Sequence, residues 1–163
     1  MKALIAYYSY TGNTQKIAKA LEDILSVKCE VATWRLEPTD ESVNFFAQCV
    51  RAFRRKRASL PDEGVNITDY DVICVGTPVW AFAPAPAVNT FLDKLGGLDG
   101  KDAICFTTYG SGTGVKKCVN TMVDAFKQRK AFKISNFNIQ QGKVDNASFV
   151  EAAIRKALEG INI

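Results

Sequence analysis

Residues 2–14 read KALIAYYSYTGNT and turn from apolar to polar at Ser9. Residues 2–8 form an apolar run without polar alternation, which is typical of a strand buried on both faces. Hydroxyl residues, a glycine and an asparagine follow, and the spacing of apolar residues from Ile17 to Leu25 then predicts a helix. A buried strand that passes through a short polar loop into a helix predicts the first half of a βαβ unit.

The rest of the chain continues this alternation. Apolar runs at residues 72–75 and 103–106 predict central strands, and weaker runs near residues 30–36 and 132–139 predict strands nearer the edges. Helical spacing of apolar residues recurs at 17–25, 43–53, 88–95, 119–126 and 149–158. Strands that alternate with helices predict one α/β domain over residues 1–163, with a parallel sheet covered on both faces.

The composition narrows the chemistry that the chain can perform alone. Histidine is absent, which excludes Ser-His and Cys-His triads, and we predict neither catalytic residues nor a metal site. The five cysteines contain no Cys-x-x-Cys pair and favour buried, reduced thiols. No apolar run suits a membrane span and residues 1–9 show no cleavage-site pattern, so we expect a cytoplasmic protein without membrane contact. Any redox chemistry would then depend on a cofactor.

The loop after the first strand predicts an anion site. It contains Ser9, Tyr10, Thr11, Gly12, Asn13 and Thr14. In an open doubly wound sheet, ligands bind beyond the carboxyl ends of the strands, and hydroxyls with backbone amides at a helix N-terminus bind anions. The loop is neither a Walker sequence nor Gly-x-Gly-x-x-Gly, which favours a single terminal phosphate over a triphosphate or dinucleotide. The alternative is an ordinary helix cap.

Two later loops predict a site for a planar ring. The second loop contains Thr77, Pro78, Val79, Trp80, Ala81 and Phe82, and the third contains Thr108, Tyr109, Gly110 and Gly112. Aromatic side chains where the chain enters solvent suit a flat ligand, and glycines permit close approach. Alternatively, Trp80 and Phe82 pack onto neighbouring helices and the third loop is a plain turn.

With these motifs the chain resembles the flavodoxins and flavodoxin-like proteins. The resemblance rests on residues 9–14, on Asp69-Tyr70-Asp71 and on residues 76–80, and it covers essentially the whole chain. It implies a three-layer α/β/α sandwich with a five-stranded parallel sheet of order 2-1-3-4-5. It also implies flavin mononucleotide (FMN) as cofactor, with the phosphate at residues 9–14 and the ring between residues 77–83 and 107–113.

The resemblance implies an electron-transfer protein that shuttles electrons between redox partners. One alternative is an FMN-dependent NAD(P)H oxidoreductase of the quinone reductase kind, and a second is a flavodoxin-fold module without flavin. We find no recognisable nicotinamide-binding element in the sequence, which favours the carrier. Clustered aspartates of a receiver domain are also missing at the strand ends, where Ser9, Thr77 and Thr108 stand.

Two departures from well-known flavodoxins concern the ring loops. Neither residues 77–84 nor residues 107–114 contain Asp or Glu, so we predict a less negative reduction potential than in acidic flavodoxins, because fewer negative charges oppose an anionic reduced flavin. Ala81 stands where flavodoxins often have glycine.

A basic cluster at Arg51, Arg54, Arg55, Lys56 and Arg57 accounts for the net charge of +4. It is either a solvated helix end, a docking surface for an acidic redox partner or a site for the 2′-phosphate of NADPH. Nucleic-acid binding needs a broader basic face and is not expected. We expect a monomer or weak dimer.

Overall fold

The computed structural model describes residues 1–39, 58, 66–161 and 163. Its strands are β1 (Lys2–Tyr7), β2 (Glu30–Arg35), β3 (Val72–Trp80), β4 (Ala83–Pro84), β5 (Asp102–Tyr109) and β6 (Ile134–Gln140). Its α-helices are α1 (Asn13–Leu25), α2 (Pro86–Lys94), α3 (Val115–Gln128) and α4 (Ala147–Leu158), and a 3-10 helix spans Gln141–Lys143. The helix predicted at residues 43–53 and the basic cluster lie outside the described residues.

The sheet has the predicted topology. Five strands run parallel in the order β2-β1-β3-β5-β6. The two-residue strand β4 pairs antiparallel with the end of β3, so the parallel strands, counted along the chain, have the order 2-1-3-4-5. The weakly apolar strands β2 and β6 lie at the edges, where one side of a strand has no neighbour and polar side chains are tolerated.

Two cores lie on opposite faces of the sheet. Successive side chains of β1 alternate between the faces: Ile5 packs in a core with residues of α1 and α4, and Leu4 packs in a core with residues of α2 and α3. Full burial of one such side chain stabilises the fold by about 1.5–3 kcal/mol. The predicted three-layer α/β/α sandwich is therefore confirmed. Among the described helices, none has the length and apolar character needed to cross a membrane.

Strands β3 and β5 are longer than the sequence predicted. We expected loops from residues 76 and 107, but β3 continues to Trp80 and β5 to Tyr109, held by pairing of residues 76–78 with 106–108. Gly76 accepts a hydrogen bond from the Tyr8 amide on the β1 side, over 3.1 Å. Pro78, two residues on, has its missing N–H on that same side, beyond the end of β1. Pro78 in β3 therefore removes no hydrogen bond between strands, and the threonines of β3 and β5 can extend these strands with it.

Candidate functional site

The loop after β1 leads directly into α1. Gly12 is the N-cap residue, with φ 87°, a left-handed conformation that glycine adopts without strain. Ser9 is buried, and its Oγ accepts a hydrogen bond from the Gln15 amide over 3.2 Å. The amides of Asn13 and Thr14 belong to the first turn and therefore have no hydrogen-bond acceptor within the helix. The positive end of the helix dipole lies beside them. These neutral donors are suited to one anionic group.

A hydrogen bond joins this first loop to the third. The Oγ1 atoms of Thr14 and Thr108 lie 2.8 Å apart, and both side chains are buried. Thr108 stands near the carboxyl end of β5, and β5 is separated from β1 in the sheet by β3. The contact therefore spans the carboxyl end of the central strand. Thr11 differs from Thr14 in being exposed.

Thr77 is engaged within the protein. Its side chain is fully buried, and its hydroxyl donates to the Pro78 carbonyl oxygen and accepts from the Ala85 amide, both over 2.9 Å. Asn89 of α2 adds a bond from Nδ2 to the Pro84 carbonyl oxygen, over 3.1 Å. Together these bonds close the second loop onto the start of α2, so the Thr77 hydroxyl shapes that loop.

A tight turn connects β3 to β4. Ala81 has φ 46° and Phe82 has φ 68°, which are the positive values that the central residues of a type I′ hairpin require. For residues with a side chain this conformation costs about 1–2 kcal/mol each. Because such strain concentrates at functional sites, the turn is a candidate ligand contact. The side chain of Phe82 is 42% exposed and lies against Gly114, where a Cβ would overlap it.

Trp80 points into the protein. It is only 5% exposed and makes edge-to-face contacts with Tyr8 and Tyr10, at centroid distances of 5.4 and 5.7 Å. This burial favours the packing alternative for Trp80. Among the described residues at this end of the sheet, Phe82 and Tyr10 have exposed aromatic rings, the latter 38% exposed. Val79 is half-buried.

The third loop opens at the end of β5. Tyr109 is half-buried, and the Gly110 carbonyl oxygen accepts a hydrogen bond from Gln140 Nε2 over 3.1 Å. Gly112 and Gly114 have φ 82° and 87°, so the chain turns there as only glycine does readily. A Cβ on Gly112 would lie 3.6 Å from Tyr109 Cε2. That distance is an ordinary contact, so the positive φ, rather than the space beside Tyr109, is what requires glycine at this position.

Sequence reasoning missed Arg35. Its Nη2 lies 3.5 Å from the Ser9 carbonyl oxygen and its Nη1 lies 3.4 Å from Gln15 Oε1, so the guanidinium lies beside the first loop. Burial raises the pKa of the neighbouring Tyr7 phenol, and the charge of Arg35 opposes that rise. Its position follows from the parallel pairing of β1 with β2, which places Tyr7 opposite Arg35, and the sequence pattern does not show that register.

Comparisons with known proteins agree with this geometry. A family model described as Flavodoxin matches residues 2–161. A solved structure of a Bacteroides eggerthii DSM 20697 protein has a TM-score of 0.75 at 22% identity and covers 99% of this chain and 98% of its own. An NADH:FMN oxidoreductase in its apo form has a TM-score of 0.68 at 16% identity, with 99% and 91% covered. A flavoprotein in complex with FMN from Lactobacillus acidophilus NCFM has a TM-score of 0.66 at 21% identity, with 90% and 98% covered.

Proposed function

Because the chain belongs to the flavodoxin family, we propose that it binds FMN at the carboxyl ends of β1, β3 and β5 and carries electrons between redox partner proteins. The observation that carries this proposal is the convergence of three loops at one end of the sheet. The Thr14 and Thr108 hydroxyls connect the first loop to the third. Contact of Phe82 with Gly114 connects the second to the third.

The residues present fit FMN at both of its ends. Amides of Asn13 and Thr14, with the hydroxyls of Ser9 and Thr11, are neutral donors at a helix N-terminus and suit a phosphate monoester. Gly12 brings the backbone to that point in a conformation that a side chain would strain. The phosphate end of the cofactor is therefore assigned to residues 9–14.

The flavin ring is assigned to the second and third loops. We propose that Pro78, Val79, Trp80, Ala81 and Phe82 on one side, and Thr108, Tyr109, Gly110 and Gly112 on the other, surround it, with the buried Trp80 side chain packed on Tyr8 and Tyr10 and supporting the turn at residues 81–82. In this arrangement Thr77 acts through the loop that its hydroxyl closes. Bound FMN supplies the redox chemistry, and the chain supplies binding, orientation and electrostatics.

The second candidate is an FMN-dependent NAD(P)H oxidoreductase. The similarity in fold to an NADH:FMN oxidoreductase favours it, since the same site would then admit a nicotinamide. The carrier remains our first proposal because no nicotinamide-binding element is recognisable in the sequence. For the carrier, the basic cluster from Arg51 to Arg57 is proposed as the surface that meets an acidic redox partner, on a monomer or weak dimer.

Absorbance spectroscopy and flavin titration test the binding proposal. We expect the purified protein to show the bands of oxidised flavin, or the flavin-free protein to quench FMN fluorescence on titration. Thr11→Val removes an exposed hydroxyl of the first loop and is expected to weaken FMN binding by about fivefold, whereas Thr33→Val on the edge strand β2 is the matched control. A protein that neither contains nor binds FMN contradicts the proposal.

Addition of NADH and NADPH without any partner separates the two functions. A carrier stays oxidised, because it depends on a separate reductase for electrons. Rapid bleaching of the flavin bands by either nucleotide would replace the carrier with the oxidoreductase.

A further inference from the structure

The first loop has a cation beside it, in addition to its neutral donors. Strand β2 pairs with β1 in parallel, with Arg35 opposite Tyr7, and the next amide, that of Leu36, donates to the Tyr7 carbonyl oxygen over 2.7 Å. The end of β2 therefore lies level with the end of β1 at Tyr7, two residues before Ser9. This register brings the Arg35 side chain to the start of α1.

We propose that Arg35 is a specificity-determining residue that makes this site select the phosphorylated flavin over riboflavin. The proposal rests on the proposed FMN site and assigns to Arg35 the recognition of the phosphate group. Its guanidinium contacts the Ser9 carbonyl oxygen and Gln15 Oε1. Ser9 and Gln15 are also joined to each other, since the Gln15 amide donates a hydrogen bond to Ser9 Oγ at the helix N-terminus.

The contacts of Arg35 leave it able to turn toward an anion. Its distances to Gln15 and Ser9, 3.4 and 3.5 Å, are at the long limit for hydrogen bonds. Its Nε lies 3.7 Å from Glu37 Oε1, and the Arg35 side chain is 45% exposed. A planar fork of donors held by such long contacts can reorient and bind a phosphate in bidentate fashion.

Within the part of the chain that the structure describes, the charges near the first loop favour Arg35. Lys16, in the first turn of α1, is directed to Asp145 near the start of α4, with Nζ 2.6 Å from Oδ1. Glu37 is a carboxylate paired with Arg35 among the described residues, and it competes with any anion for the guanidinium. Removal of the Glu37 charge should therefore strengthen phosphate binding, while removal of the Arg35 charge should weaken it.

Binding titrations on the flavin-free protein test this assignment. FMN and riboflavin are titrated by fluorescence quenching, and inorganic phosphate is titrated by amide chemical shifts in NMR. We expect Arg35→Gln to weaken FMN binding by about five- to tenfold and to leave riboflavin binding unchanged, Arg35→Lys to lose less, and Glu37→Gln to tighten FMN binding by about twofold. The salt dependence of FMN binding should decrease in Arg35→Gln.

Arg155 and Glu151 provide a matched control pair. They form an exposed ion pair on α4, with Nε 2.8 Å from Oε1, and Arg155→Gln and Glu151→Gln should leave all three affinities unchanged. Equal losses for FMN and riboflavin in Arg35→Gln, or no loss for either, would overturn the assignment. If the wild-type protein binds inorganic phosphate but no flavin, and Arg35→Gln weakens phosphate binding, the FMN proposal fails and the role of Arg35 stands. If it binds neither, both fail.

Discussion

The hydroxyls of Thr14 and Thr108 lie 2.8 Å apart, although 94 residues separate them in the chain. Both are buried, so either one left without its partner loses a hydrogen bond that water does not replace. The pair therefore couples the start of α1 to the end of β5, and with it the proposed phosphate end of the candidate site to the proposed ring end.

Replacing one of these threonines by valine tests the coupling. Thr14→Val and Thr108→Val should each lower the free energy of unfolding by about 1–2 kcal/mol, because the other hydroxyl is left buried and unpaired. The double variant should lose less than the sum, since no unpaired hydroxyl remains. Urea denaturation of the flavin-free single and double variants measures this, and strictly additive losses would contradict the coupling.

Gly76 should tolerate no side chain. A Cβ at this position would overlap the ring of Phe106, and Phe106 is fully buried. Gly76→Ala is expected to lower the free energy of unfolding by about 3 kcal/mol, and a second change, Phe106→Leu, should recover part of the loss by making room. Gly142→Ala, where a Cβ meets open space, is the control and should be nearly neutral in the same denaturation experiment.

The strained turn makes the opposite prediction for Ala81. Its φ of 46° suits glycine better than alanine, so Ala81→Gly should raise the free energy of unfolding by about 0.5–1 kcal/mol despite the greater flexibility of glycine in the unfolded chain. Ala152→Gly in the exposed interior of α4 should instead lower it by about 1 kcal/mol. Equal destabilisation by both changes in thermal unfolding would show that the turn is unstrained.

Buried thiols predict a loss of stability in alkali. Burial raises the pKa of Cys105 from 9.0 to about 12, and it also raises the pKa of Cys74 and of Cys118. The unfolded thiols lose protons above about pH 9 while the folded ones keep them, so the contribution of these thiols to stability is constant below that pH and falls as the pH rises from 9 toward 12. Each thiol contributes about 1.4 kcal/mol per pH unit.

Urea denaturation of the flavin-free protein between pH 8 and pH 11 measures the effect. Cys105→Ala is the informative variant. Its free energy of unfolding at pH 8 changes because the packing changes, and the slope of that free energy against pH should be smaller than in the wild type by the contribution of one thiol. A slope equal to that of the wild type would contradict the prediction, because Cys105 would then lose its proton at the same pH in the folded and the unfolded protein.

The acid-free ring loops predict how an added carboxylate changes the flavin. Ser111 is exposed in the third loop, and Ser111→Asp should lower the reduction potential of the bound flavin by on the order of 50 mV, because the new negative charge opposes the anionic reduced form. Gln128→Glu adds the same charge at the far end of α3 and should have little effect. Spectroelectrochemical titration at low and high salt compares the two, and the difference should shrink as salt screens the charge.

Much of the fold could be predicted from local patterns. The run at residues 2–8, the helical spacing from Ile17 to Leu25 and the weak apolar character of the edge strands all reflect burial, and burial is visible in a sequence as periodicity. The length of β3 could not be predicted this way. Gly76 and Pro78 are typical of loops, and only their pairing with β5 makes them strand residues.

The amino-acid sequence by itself determined the alternation of strands and helices, the order of the three loops and the residue types that suit a phosphate and a flat ring. Tertiary structure decided which of those side chains are buried and which are exposed. Trp80 is buried against Tyr8 and Tyr10, and Arg35, from a neighbouring strand, lies beside the first loop. Direction and proximity of this kind depend on strand register and on contacts between residues far apart in the chain, and no local periodicity records them.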